Sequence, residues 1–125
     1  AFVRADLSAQ AEVRACAAEI LARHPALHVL VNNAGAVFDR REETVDGIER
    51  TFALNHLAYW LLTHELLGAL RAAAAESGDA RVVNVASDAH QSVPFGLPRD
   101  DLQLRAGWTQ GKAYGVSKLC NVMFT

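Results

Sequence analysis

Cysteine is scarce in this chain: Cys16 and Cys120 are the only two in 125 residues, and they stand far apart in apolar surroundings. Two cysteines make a poor disulfide framework, so both are expected as reduced, buried thiols. A basic excess is also missing. The formal net charge of −2 argues against a nucleic-acid or anionic-membrane binder, which needs clustered lysine and arginine. Long apolar runs are lacking too. The longest, Leu57 to Ala75, is broken by His64, Glu65 and Arg71, whereas a membrane span needs about 20 predominantly apolar residues. The opening Ala1-Phe2-Val3-Arg4-Ala5-Asp6 has no apolar core of a secretory signal, and no Asn-x-Ser/Thr sequon occurs. The expectation is a soluble, cytoplasmic protein. There is no initiating Met, and the chain stops at Thr125 inside an apolar helical run. It therefore reads as a piece of a longer chain.

Several chemistries lack their residues. His24, His28, His56, His64 and His90 show no paired spacing with cysteines or carboxylates, so no metal site is expected. Gly107-Trp108-Thr109-Gln110-Gly111-Lys112 is one residue short of a phosphate-binding loop and lacks the Ser/Thr after the lysine. No Gly-x-Ser-x-Gly elbow points to a hydrolase.

What is present is an alternation of elements sized for one domain. Ala1 to Ala5 can end a strand. Ser8 is a suitable helix cap, and Ala9 to His24 places Val13, Ala17, Ile20 and Leu21 on one helical face before Pro25 ends it. Leu27 to Val31 reads as a strand buried on both faces, closed by the turn-forming Asn32-Asn33-Ala34-Gly35. Val45 to Ala75 is helical by its apolar spacing. Arg81 to Ala86 reads as a second buried strand. Ser87 to Gly111 is a loop, and a last helix opens at Lys112. Alternating strands and helices imply a parallel sheet with crossover helices, whose working groups collect at the carboxyl ends of strands. Asp6, the Asn32–Gly35 turn and Ser87 all stand at such ends.

One pair of residues suggests chemistry. Tyr114 and Lys118 are four apart on a helix and so share a face. A phenol titrates near pKa ~10, and an ammonium beside it favours the phenolate. The pair can therefore act as an acid/base group on an alcohol or carbonyl oxygen. Each candidate also has an ordinary reading. Asn32 and Asn33 form turns, Asn55 fits a satisfied polar residue in a core, Ser87 fits a helix cap, and Asp6 fits a helix start.

Order and context favour the chemical reading. Tyr114-Gly115-Val116-Ser117-Lys118 resembles the Tyr-x-x-x-Lys signature of the short-chain dehydrogenase/reductase family. Leu30-Val31-Asn32-Asn33-Ala34-Gly35 resembles its Asn-Asn-Ala-Gly motif, and Val82 to Ser87 its strand ending in a catalytic serine. Asn55 in Phe52-Ala53-Leu54-Asn55-His56-Leu57 matches its helix asparagine, and Asp6-Leu7 the acidic end of its third strand. Ser87-Asp88-Ala89-His90 and the run from Ser117 to Thr125 look most like the retinol dehydrogenase and protochlorophyllide reductase branch.

The resemblance implies a three-layer αβα Rossmann-type parallel sheet of the α/β class. It is incomplete here, with residues 1–125 as the central part of one NAD(P)-binding domain: third to fifth strands and the start of the catalytic helix. It implies hydride transfer between a nicotinamide cofactor, NADP ahead of NAD, and an alcohol, aldehyde or ketone. Tyr114 would be the acid/base and Lys118 would lower its pKa and bond the nicotinamide ribose. Ser87 would donate to the substrate oxygen, and Asn55 would hold a water of a proton relay. Asn33, Ala34, Gly35, Asp6, Leu7, Tyr114 and Lys118 would contact the cofactor, Asp6 at the adenine. A homo-oligomer is expected, packed through the long helix. Two alternatives stand beside this reading: a nucleotide-sugar epimerase or dehydratase, and a non-catalytic dinucleotide-binding protein.

The family's Gly-rich turn and first two strands are not in these residues. In its strand order 3-2-1-4-5-6-7 they separate the third strand from the fourth. The leading strand is then expected to lack a partner, Leu27–Val31 to present an apolar edge, and the stretch alone to bind no dinucleotide tightly.

Overall fold

The computed structural model describes residues 2–94 and 96–125. Its centre is a pair of parallel strands, β1 (Val29–Asn32) and β2 (Arg81–Asn84), in register from Val29 opposite Arg81 to Asn32 opposite Asn84. Parallel neighbours need a long crossover, and the helices between them provide it. Residues 2–6 form no strand; with no neighbouring strand to pair with, this segment only leads into the first helix. Ala1 lies outside the described residues.

The first helix, α1 (Gln10–Arg23), starts one residue later than the sequence suggests, with Ala9 as its cap. Ser8 does not cap it. Instead Ser8 donates its N–H and its hydroxyl to Asp6 Oδ1, at 2.9 and 2.8 Å. The exposed first-turn donor of Gln10 goes to Asp46 Oδ2 at 2.8 Å, 36 residues away, which satisfies part of the helix end. Val13 and Ala17 are the buried side of α1, and Val13 packs with Ala58 and Leu61.

The long helical stretch begins at Arg50, not at Val45. Thr44 to Ile48 close a turn through Thr44 N–H to the Ile48 carbonyl (2.8 Å) and Gly47 N–H to the Thr44 carbonyl (2.9 Å). Gly47 sits at φ 70°, a conformation that stops a helix at low cost only for glycine. Glu49 then caps the helix, accepting from Thr51 N (3.0 Å) and Phe52 N (2.8 Å). The stretch has three parts: α2 (Arg50–Phe52), a π-helical turn (Ala53–Leu57), and α3 (Ala58–Ser77). The π turn holds Asn55 at its middle. Such single turns put one extra residue into a helix and often mark functional sites.

A short 3₁₀ helix, Asp88–Ser92, follows β2. The last helix, α4 (Gln110–Phe124), opens two residues before Lys112 because Thr109 accepts from Lys112 N at 3.2 Å. Phe52, Leu104, Ala113, Val116 and Cys120 form the second core cluster. Both cysteines are unpaired, and burial pushes the Cys120 thiol up to about 11.

The strands are not buried on both faces. Asn32 and Asn84 face the helices: Asn32 Nδ2 reaches Thr63 on α3 (3.0 Å) and Asn84 Oδ1 (2.8 Å), and Asn84 Nδ2 reaches Thr125 (3.1 Å). On the opposite face Val29 and Val31 are each 57% exposed and Val83 is 46% exposed. Among the described residues the helices supply one covering layer, so the apolar runs read as doubly buried strands are covered on one side only.

Candidate active site

The buried middle of α4 reaches the chain just past β2. Lys118 is 3% exposed, and its Nζ donates to the Val85 carbonyl, just past β2, at 3.1 Å. The ammonium lies 5.6 Å from the centre of the Tyr114 ring and 5.8 Å from that of Tyr59 on α3. Burial pulls the Lys118 pKa below the usual lysine value. The two aromatic faces offset part of that cost through cation–π attraction. The expected pair, Tyr114 with Lys118, is therefore together.

Asn55 is fully buried and bridges three elements. Its Oδ1 accepts from Ala36 N at 2.9 Å. Its Nδ2 donates to the Ala36 carbonyl at 2.9 Å and to Ser117 Oγ at 3.2 Å. Ser117 in turn donates to the Tyr114 carbonyl at 2.8 Å. The side chain of Asn55 is thus committed to tying the loop after β1 to α4. Gly35 shows how close that loop comes: a Cβ there would lie 3.2 Å from Asn55 Oδ1 and 3.6 Å from Lys118 Nζ.

Ser87 is in extended backbone, φ −164° and ψ 152°. Its Oγ accepts from Ala89 N at 3.2 Å, which leaves the hydroxyl proton available. Its carbonyl takes the His90 Nδ1 hydrogen at 2.7 Å. Ser87 makes no direct hydrogen bond to Tyr114; its hydroxyl and carbonyl bond Ala89 and His90 instead. The Asp88–Ser92 helix rests on α4 at Gly115, where a Cβ would stand 2.5 Å from Ser92 Oγ and 2.9 Å from the Ala89 carbonyl. Gly115 was missed as a site residue. Its signal was a glycine inside a helix, a costly choice that calls for a close approach.

The expected cofactor contacts fall in two groups. Leu7, Asn33 and Ala34 line one small hollow of about 50 Å³ together with Tyr59. Asp6 lies apart from them, in a hollow of about 440 Å³ with Glu42, Thr44 and Arg50. The hydrogen bonds from the Ser8 backbone and hydroxyl hold the Asp6 carboxyl below its ordinary range. Tyr59, also missed, has a buried hydroxyl with no hydrogen-bond partner. Burial first, and the neighbouring Tyr114 second, raise its pKa. No metal-binding group of three or more His, Cys, Asp or Glu occurs among the described residues. No helix among them is long and apolar enough to cross a membrane.

A dinucleotide's nicotinamide end has matching chemistry here. An ammonium has three donors, and Lys118 gives one to Val85, with its Nζ 3.6 Å from where a Gly35 Cβ would stand.

A family model described as short chain dehydrogenase matches residues 1–98. Retinol dehydrogenase 12 of Bos taurus is 46% identical over 121 residues, covering 96% of this chain and 36% of that protein. The crystal structure of NADPH-bound carbonyl reductase from chicken fatty liver superposes with a TM-score of 0.70 at 25% identity, over 100% of this chain and 49% of that one. The NADP complex of Pseudomonas aeruginosa RhlG gives 0.70 at 30% identity, over 98% and 43%. The chain spans about a third of the length of the curated relatives it matches. From the matched family model, the relatives and the shared fold, the chain belongs to the short-chain dehydrogenase family.

Proposed function

We propose that this chain is the central part of a single NAD(P)-binding domain and carries the acid/base machinery of an oxidoreductase acting on an alcohol or carbonyl group. The observation that carries the reading is the buried Lys118 ammonium 5.6 Å from the Tyr114 ring, on one helix face. When bound, the nicotinamide would supply or take up the hydride.

The chain's own residues handle the proton. Tyr114 gives a proton to the substrate oxygen, or takes one from it. Lys118 sets its positive charge beside the Tyr114 ring. Ser87, its oxygen already accepting from Ala89 N, donates its hydrogen to the same substrate oxygen. The Asn55 main-chain carbonyl accepts from Asn121 and has a second lone pair for a water that passes protons between Lys118 and solvent. Asn33, Ala34, Gly35 and Lys118 would hold the nicotinamide side, and Asp6 with Leu7 the adenine side. The Gly-rich turn expected to hold the pyrophosphate is not among these residues, so the stretch alone is proposed to be inactive.

The names of the relatives and neighbours support an apolar alcohol, aldehyde or ketone as substrate and NADP ahead of NAD. Exposed Trp60 on α3 and Met123 on α4 support a self-associating face on these helices.

Tyr114→Phe in the full-length protein tests the reading. Turnover should fall by about 10²–10⁴-fold, the contribution typical of a positioned acid/base, while cofactor affinity stays. Retained turnover would move the acid/base role to another group.

A further inference from the structure

Asn121 stands three residues beyond Lys118 on α4 and is completely buried. Its Nδ2 donates to the Asn55 carbonyl at 2.9 Å and to the Val85 carbonyl at 3.4 Å. Val85 offers the same carbonyl that anchors Lys118 Nζ at 3.1 Å. Both acceptors are carbonyls, so the amide can face them only through its nitrogen. Its oxygen therefore faces the remaining partner, His56 Nδ1, at 3.0 Å. An amide oxygen only accepts, so His56 Nδ1 must carry the hydrogen whether the ring is neutral or charged. The ring is set between Phe52 and Phe124, with centroids 5.4 and 6.1 Å away. Burial lowers the His56 pKa, with a smaller opposing effect from Asn121, which favours the neutral Nδ1–H tautomer.

We propose that Asn121 is a positioning residue for the acid/base group. It holds the carbonyl that anchors Lys118 and the carbonyl of the π turn in one arrangement, and His56 fixes which way its amide points. The inference rests on the Tyr114–Lys118 reading. Without Asn121, the Val85 carbonyl loses one of its two donors and the Asn55 carbonyl loses its side-chain donor. The ammonium is then held less firmly beside the Tyr114 ring. The titratable groups beside that phenol are Lys118 on α4, 5.6 Å from the ring centre, and Tyr59 from α3. Asn33 to Gly35, from the loop after β1, bring no ionisable group.

The test uses the full-length protein. Asn121→Leu should lower kcat/KM for alcohol oxidation by about tenfold at neutral pH, about 1.4 kcal/mol of transition-state stabilisation, with the loss recovered at higher pH. His56→Phe keeps the aromatic packing and removes only the donor. It should shift the profile in the same direction by less, and it decides the matter if Asn121→Leu does not fold. Independently of activity, ¹⁵N NMR of labelled histidine should show Nδ1 of His56 protonated in the native protein. Unshifted pH profiles in both folded variants, or a neutral His56 protonated at Nε2, would overturn the proposal. If instead Tyr114→Phe stays active while His56 shows the Nδ1–H form, the hydrogen-bond arrangement stands and the acid/base reading fails.

Discussion

Two regions of this molecule contrast in how far they are complete. Around Asn55, Ser117, Lys118 and Asn121 the amides and hydroxyl find partners within the chain, from Ala36 and Val85 to His56, and the Tyr59 hydroxyl beside them does not. On the far side of the same sheet Val29, Val31, Val83 and Val85 stand exposed. Buried polar groups without partners cost about 1–3 kcal/mol each, so a polar network is viable only when its members are present together. An apolar strand face loses burial energy in proportion to area and can wait for a cover. The difference shows that one side of the sheet carries a helical layer with a hydrogen-bonded seam, while the other side is left uncovered among the described residues.

The sharpest way to break the complete region is to separate the elements it joins. Gly115→Val would press side-chain atoms into Ser92 Oγ and the Ala89 carbonyl, which already stand 2.5 and 2.9 Å from a single Cβ. Overpacking of this kind costs about 3 kcal/mol, read as a lower midpoint of unfolding. Activity should fall too, because the segment behind Ser87 is pushed off α4. Gly115→Ala should cost less, since helix propensity returns about 1 kcal/mol. A neutral Gly115→Val would mean that the two helices do not touch in solution.

A smaller loss is expected at Glu49, which is buried and receives Thr51 N, Phe52 N and, at 3.3 Å, Trp108 Nε1. Glu49→Ala removes a helix cap and strands donors, for a loss of about 2 kcal/mol in chemical denaturation. An unchanged denaturation midpoint would show that the start of the long helix and the segment before α4 are not held together there.

The smallest effect belongs to the incomplete region. Val31→Thr in the 125-residue chain should change stability by less than about 0.5 kcal/mol, as exposed substitutions usually do, while reducing aggregation. A loss well above that would show the valine face covered in solution, and the contrast between the two regions would disappear.

Much of this was legible in the chain itself. The spacing of Tyr114 and Lys118 placed them on one face because a helix repeats every 3.6 residues, and they are together. The two parallel strands and their crossover followed from the alternation of apolar runs. Other features escaped. The late start at Arg50 depends on Gly47 and on Asp46, whose side chain serves α1 from 36 residues away. Ser8 seemed a helix cap but binds Asp6 instead. The π turn at Asn55 has no local periodic signature that a helix lacks.

What the sequence determined by itself is therefore local and repetitive: which stretches are helix or strand, and which side chains share a face of one element. These depend on bonds between residues a few positions apart. What only the tertiary structure decided is which elements share a partner. The Val85 carbonyl serves both Lys118 and Asn121, the Asn55 amide closes on Ala36, and Gly115 admits the Ala89 backbone. Those pairings join residues 19 to 36 positions apart. They form only because burial excludes water as an alternative partner, which leaves each buried donor to find an acceptor on whatever element packs beside it.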